Sequence, residues 1–171
     1  MEKKGIICFE PGMNALIGPN GHGKSTILRA IHACEDCRKK VAEDSQHTFR
    51  LFDAEALDPH AADERSVGLH DMLLKVRAKF SSHGESMKDA LASFDFKPGD
   101  CLLFDEPERG QDFESVVKLR AFLDDACGQG CQVIAASHHP VFWDNAHVIE
   151  LEDGYAEKVL RRLCAITCPP N

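Results

Sequence analysis

Apolar positions along the chain alternate between two spacings. Short apolar runs bounded by turn residues read as strands: Gly5-Ile6-Ile7-Cys8-Phe9, Met13 to Ile17, Phe49-Arg50-Leu51-Phe52, Cys101-Leu102-Leu103-Phe104 and Gln132 to Ala136. Glu10-Pro11-Gly12 is a turn between the first two, which predicts an N-terminal antiparallel strand pair. Helical spacing begins at Lys24, where Ile27, Leu28, Ile31 and Cys34 recur at i, i+1, i+4 and i+7. Further helices are expected over Leu69 to Phe80, from Glu85 through Phe94, and over Phe113 to Ala126 with Gly128 as its C-terminal cap. Asp58-Pro59 reads as a break and Lys97-Pro98-Gly99-Asp100 as a turn. Val148 to Leu151 and Ala156 to Leu160 predict a final hairpin around Asp153-Gly154.

Strands alternating with helices predict an α/β fold with a mostly parallel sheet flanked by helices. The runs Cys101–Phe104 and Val133–Ala136 are apolar throughout, as strands buried on both faces require. There is no internal repeat and no low-complexity linker, and 171 residues suit a single domain, 1–171. Residues 40 to 80 are the least readable part, and a helical insertion is expected over approximately residues 40–97.

Composition narrows the class. Hydrophobic residues make up 43 % and charged residues 28 %, as in soluble globular proteins. A net charge of -8 argues against a generic nucleic-acid coat, which relies on neutralising phosphates with Lys and Arg. DNA binding through a local basic patch at Arg38-Lys39-Lys40 or Arg161-Arg162 stays open, although short charge runs are usually solvated surface. Met1-Glu2-Lys3-Lys4 is charged, but the apolar run after it is too short for a signal peptide, and no stretch approaches a membrane span. A cytoplasmic protein is expected. In a reducing compartment the eight cysteines read as free thiols, with Cys8 and Cys101 in the core. Cys34/Cys37 with Cys164/Cys168 is the alternative, a structural zinc site.

Four motifs carry chemistry. Gly18-Pro19-Asn20-Gly21-His22-Gly23-Lys24-Ser25-Thr26 matches a phosphate-binding P-loop, G-x-x-x-x-G-K-[ST]. Its glycines let the backbone wrap a phosphate, and the helix that follows adds its N-terminal dipole. Lys24 would reach the β- and γ-phosphates of ATP and Ser25 would ligate Mg2+, while His22 is expected to face solvent. The second motif is Leu102-Leu103-Phe104-Asp105-Glu106-Pro107, where a strand delivers two adjacent carboxylates to the edge of the sheet at which ligands bind. Asp105 suits the Mg2+ site, and Glu106 suits the base that polarises attacking water. Third is Ser81-Ser82-His83-Gly84-Glu85-Ser86, in which Ser82 and Glu85 form a capping box at a helix start that is also an anion site. Fourth is Ser137-His138-His139-Pro140 after the Gln132–Ala136 strand, where a histidine could hydrogen-bond a γ-phosphate.

Taken in this order, the motifs resemble the nucleotide-binding domain of ABC-class ATPases, over roughly residues 5 to 155. The resemblance implies a P-loop NTPase fold with a reduced helical subdomain. Gly18 to Ser25 corresponds to the Walker A motif, Cys101 to Asp105 with Glu106 to the Walker B, and Ser81 to Glu85 to the signature. Arg109-Gly110-Gln111-Asp112 looks like the D-loop and His138 like the switch histidine. Asp105-Glu106-Pro107-Glu108 and Ser137-His138-His139-Pro140 are similar to the RecF/SMC-type branch of small stand-alone ATPases, whereas transporter subunits usually have Thr where Glu108 stands. His83 and Glu85 depart from the usual signature, and Gln111 replaces an apolar D-loop residue. Gln46, Asp53 and Glu55 are candidates for the Gln loop, and Phe9 for stacking on adenine.

The resemblance implies ATP hydrolysis with Mg2+ in an ATP-dependent head-to-tail homodimer. Each site would pair Lys24, Asp105, Glu106 and His138 of one copy with Ser82, Gly84 and Glu85 of the other, and Asp112 would lie at the same nucleotide. The work driven would belong to a DNA-repair, phage or defence-type system. An ATP-gated regulatory module with a separate partner protein is one alternative, and a transporter subunit another.

Overall fold

The computed structural model describes residues 7–41, 48–53 and 96–167. Five strands form one sheet: β1 (Met13–Ile17), β2 (Phe49–Asp53), β3 (Cys101–Asp105), β4 (Gln132–Ala136) and β5 (His147–Glu150). Their order is β2-β3-β4-β1-β5, and every neighbouring pair is parallel. The described helices are α1 (Lys24–Ala33), α2 (Glu35–Val41), α3 (Phe113–Gly128) and α4 (Tyr155–Thr167), with a 3-10 turn at Pro140–Phe142. None of them is long and apolar enough to cross a membrane.

The two-residue period of the strands divides the core. Ala15, Ile17, Leu102, Phe104, Val133 and Ala135 face one side, where they meet Val116, Leu119, Phe122 and Leu123 of α3. Cys101, Leu103, Ile134 and Ala136 face the other and meet Leu28 and Ile31 of α1. Both faces of β3 and β4 are therefore covered, which is why these strands read as unbroken apolar runs. Phe52 stacks on Phe104 across the β2–β3 pair, with ring centroids 4.6 Å apart and planes 10° from parallel.

Register aligns the functional edge. Leu16 and Asp105 both pair with Ala136, so β1, β3 and β4 end level with one another. The loops that follow them, carrying the P-loop, Glu106 and His138, leave the sheet along the same C-terminal edge.

Three expectations are corrected. Residues 7–10 form no strand, and the sheet of the described residues is wholly parallel, with no N-terminal antiparallel pair. Asn14, buried inside β1, ties down Glu10, its side chain accepting from Glu10 N at 2.8 Å and donating to Glu10 O at 2.8 Å, so the chain enters β1 through a side-chain-anchored bend instead of a paired hairpin. Cys8, expected in the core, is accordingly exposed, while Cys101 is buried as expected.

The second correction is α4, which replaces the second strand of the expected hairpin. Val159, Leu160, Leu163 and Ile166 continue the pattern at i, i+1, i+4 and i+7, beyond the short stretch read as a strand. The Glu150 carboxylate accepts from Gly154 N at 2.6 Å and Ala156 N at 3.0 Å, satisfying N–H groups around the helix start. The third is minor: Gly128 lies inside α3, whose C-terminal cap is Gln129. The helices expected over 69–80 and from 85, and the break at Asp58-Pro59, lie outside the described residues.

Candidate active site

The P-loop leaves β1 at Gly18, at a φ of 154°, where a Cβ would crowd Cβ of Leu151 at 3.2 Å, so glycine lets the loop pass close to that residue. It enters α1 through Gly23, at a left-handed φ of 85°, with no side chain capping the helix. The N–H groups of the first turn have no partner within the helix and are left for an anion. Lys24 is only 6 % exposed. Its Nζ donates to Gly18 O at 2.9 Å and Pro19 O at 3.0 Å, folding the ammonium back across the loop. Burial lowers its pKa, and the carboxylates of Glu106, Asp105 and Glu108 resist that shift.

β3 supplies the acidic side. Ser25 Oγ donates to Asp105 Oδ1 at 2.9 Å, joining the start of α1 to the end of β3. A hydroxyl and a carboxylate converging beside a phosphate cradle are the hard oxygen donors that suit Mg2+, which binds few protein ligands and shares the rest with phosphates and water. Glu106 follows at a φ of 49°, left-handed backbone that non-glycine residues rarely adopt. Its N–H donates to Ala136 O at 2.9 Å, and its carboxylate lies 3.8 Å from Arg109. The kink turns Glu106 away from the strand direction that Asp105 still follows.

β4 supplies the third loop, which Glu108 holds in shape. One carboxylate oxygen accepts from the Ser137 hydroxyl at 2.9 Å and the other from His138 N at 2.7 Å. Ser137 Oγ in turn accepts from His139 N at 2.9 Å. His138 Nδ1 lies 3.2 Å from the Tyr155 hydroxyl, and its Nε2 is buried with no partner among the described residues. Burial pushes the imidazole pKa down and Lys24 adds to this, while Glu108 and Glu106 partly offset it. Lys24 thus acts on His138, and both feel the same two glutamates, which places residues of three of the four motifs near one another.

The residues Gly18 to Thr26, Asp105, Glu106 and His138 share this edge. His22 is exposed, with Nδ1 3.3 Å from Asn20 O and Nε2 3.6 Å from Glu152. Asp112 caps α3, its Oδ1 accepting from Ser115 N at 2.8 Å. Phe9 packs against the cluster containing Leu28 and Ile31. Ser82, Gly84, Glu85, Gln46 and Glu55 lie outside the described residues, as does the side chain of Asp53. Cys34, Cys37 and Cys164 are free thiols, Cys168 is not described, and no group of three or more metal-ligating side chains occurs among the described residues. Two participants escaped the motifs. Glu108 was legible only as part of a resemblance, and Tyr155 had no signal, because its segment read as a hairpin.

Comparison with known proteins agrees with this architecture. The AAA_23 family model, an AAA domain, matches residues 3–51, which include β1, the P-loop and α1. ABC transporter F family member 5 of Arabidopsis thaliana is 31 % identical over 91 % of this chain and 26 % of its own length. Elongation factor 3A of Saccharomyces cerevisiae is 32 % identical over 76 % of this chain and 14 % of its own. The chain thus spans about a quarter or less of the length of these curated relatives. The structure of cbiO1 from Clostridium perfringens, part of the ABC transporter complex cbiONQ, has the same fold: the TM-score is 0.51 at 16 % identity, over 96 % of this chain and 87 % of that one. With its P-loop, paired carboxylates and His138 on one edge of a parallel sheet, the chain is an ABC-class ATPase domain.

Proposed function

We propose that the domain binds ATP with Mg2+ and cleaves its γ-phosphoryl bond. The P-loop amides and Lys24 hold the β- and γ-phosphates. Ser25 and Asp105 hold Mg2+, which neutralises phosphate charge when bound. Glu106 polarises the attacking water and accepts its proton, and Nε2 of His138 donates to the γ-phosphate. The observation that carries this reading is the 2.9 Å contact between Ser25 and Asp105, which ties the two halves of the phosphate site together. The unpartnered Nε2 of His138 supports it, since a buried polar atom of this kind calls for a ligand.

The domain acts as a head-to-tail dimer, with Ser82, Gly84 and Glu85 of a second copy closing each site. Its support is the order of the motifs together with a P-loop rim, Asn20 to His22 and Thr26, that is exposed in the single chain. Size-exclusion chromatography of Glu106→Gln with ATP and Mg2+ tests the dimer: a dimeric peak is expected, and a monomer despite tight ATP binding would contradict it.

The work that closure drives belongs to a DNA-repair, phage or defence-type system, in keeping with the Asp105-Glu106-Pro107-Glu108 wording. Steady-state hydrolysis with and without DNA separates a stimulated motor from a nearly silent regulatory module. A transporter subunit is the competing reading, because cbiO1 is part of a transporter complex. That reading predicts capture of a membrane protein by Glu106→Gln with ATP, whereas the soluble reading predicts a soluble partner.

A further inference from the structure

We infer that Tyr155 is a positioning residue for hydrolysis: its hydroxyl donates to Nδ1 of His138 and so keeps the imidazole proton on Nε2, where the γ-phosphate needs a donor. The inference rests on the role proposed for His138.

A neutral imidazole has one N–H and one lone pair, and what binds one nitrogen decides the state of the other. Nδ1 of His138 lies 3.2 Å from the Tyr155 hydroxyl, while Nε2 is buried with no partner among the described residues. Two arrangements satisfy the pair. If Nδ1 donates to the phenol, Nε2 offers a lone pair to a phosphate oxygen that is itself only an acceptor, and the contact is repulsive. If the phenol donates to Nδ1, Nε2–H can donate to that oxygen. A phenol hydroxyl can rotate to either arrangement, so binding of an anion selects the second. The same logic orients histidines in metal sites and hydrolytic triads, where a group behind the ring fixes its tautomer.

The phenol is held where this works. Tyr155 opens α4, and its N–H donates to Glu152 O at 3.2 Å. Its ring lies against Trp143, with centroids 6.2 Å apart, and Trp143 Nε1 donates to Ser137 O at 3.3 Å. Glu108 fixes the backbone of the same loop from the other side, through His138 N at 2.7 Å. The histidine is thus anchored by its main chain through Glu108 and by its ring through Tyr155.

Tyr155→Phe tests the inference, because it keeps the ring against Trp143 and removes only the hydroxyl. Turnover should fall by about 10- to 100-fold, the usual cost of losing a group that orients a functional histidine. KM for ATP should stay unchanged, because the P-loop carries ground-state binding. In a His138→Gln background the same change should cost nothing further, since Tyr155 acts through His138. Side-chain 15N shifts of His138, assigned by comparison with His138→Gln among the nine histidines, should show the Nε2–H tautomer in the native protein with a bound non-hydrolysable ATP analogue. Tyr155→Phe should shift them towards a tautomer mixture.

Full turnover in Tyr155→Phe, an equal loss in the His138→Gln background, or a native Nδ1–H tautomer would each overturn the proposal. Failure of the hydrolysis reading itself has a different signature: the native protein would release no phosphate, while the 15N shifts would still report which nitrogen is protonated.

Discussion

Glu106 adopts a φ of 49°, a conformation that costs a non-glycine residue about 1–3 kcal/mol and persists where the surroundings enforce it. Here the enforcement is the hydrogen bond from Glu106 N to Ala136 O and the turn formed by Arg109 N and Glu106 O, both 2.9 Å. If the strain is retained for chemistry, Glu106→Gly should raise the unfolding free energy in urea by up to about 1 kcal/mol while abolishing turnover. A variant less stable than the native protein would show that the carboxylate, and not the backbone, sets the energy here. His138 offers a second test at this scale. Its pKa is depressed below the ordinary 6.5, so on acidification the unfolded chain takes up a proton before the folded one does. The native fold therefore loses stability as pH falls through about 6.5, and this contribution is absent well above it. Urea unfolding between pH 5 and 8 should show a steeper acid loss for the native protein than for His138→Gln; equal slopes would contradict the depressed imidazole. Lys24, Ser25, Asp105, Glu106 and His138 were legible because each sits in a contiguous motif at a strand end. Tyr155 was not, because it meets His138 across 17 residues that include a 3-10 turn, a strand and a helix start.

Where the elements departed from their sequence patterns, a single polar side chain decided the outcome. Asn14 takes the donor and acceptor of Glu10, so residues 7–10 lead into β1 without forming a strand. Glu150 binds the N–H groups of Gly154 and Ala156, so the segment after β5 winds into α4 rather than turning back as a hairpin. Such choices are invisible to hydrophobic spacing, since they depend on where a carboxylate or amide points once the sheet exists. By contrast β3 and β4 were readable as buried parallel strands, because both faces are covered and no polar position interrupts them. Glu150→Ala removes the cap of α4 and should destabilise the domain by about 1 kcal/mol, as loss of a capping side chain does. Hydrogen exchange should show the first turn of α4 opening faster, and protection equal to that of the native protein would show that packing against Trp143 alone holds this helix.

At the scale of the molecule, a parallel sheet collects chemistry because every strand ends at the same edge. β1 brings the phosphate cradle, β3 the paired carboxylates and β4 the histidine, while the register of Leu16 and Asp105 against Ala136 keeps the three level. Asn20 to His22 and Thr26 on the rim of the P-loop are exposed, which suits a site closed by a second copy. The proposed chemistry requires that this edge hydrolyse ATP with Glu106 as its base. The direct measurement is ATP binding together with phosphate release, compared between the native protein, Lys24→Ala and Glu106→Gln in the presence of Mg2+. Lys24→Ala should lose about 100-fold or more in ATP affinity, as when one partner of a buried charged contact is removed. Glu106→Gln should bind ATP as tightly as the native protein and release phosphate about 100- to 10,000-fold more slowly, the range for loss of a general base. Native turnover in Glu106→Gln would exclude Glu106 as the base.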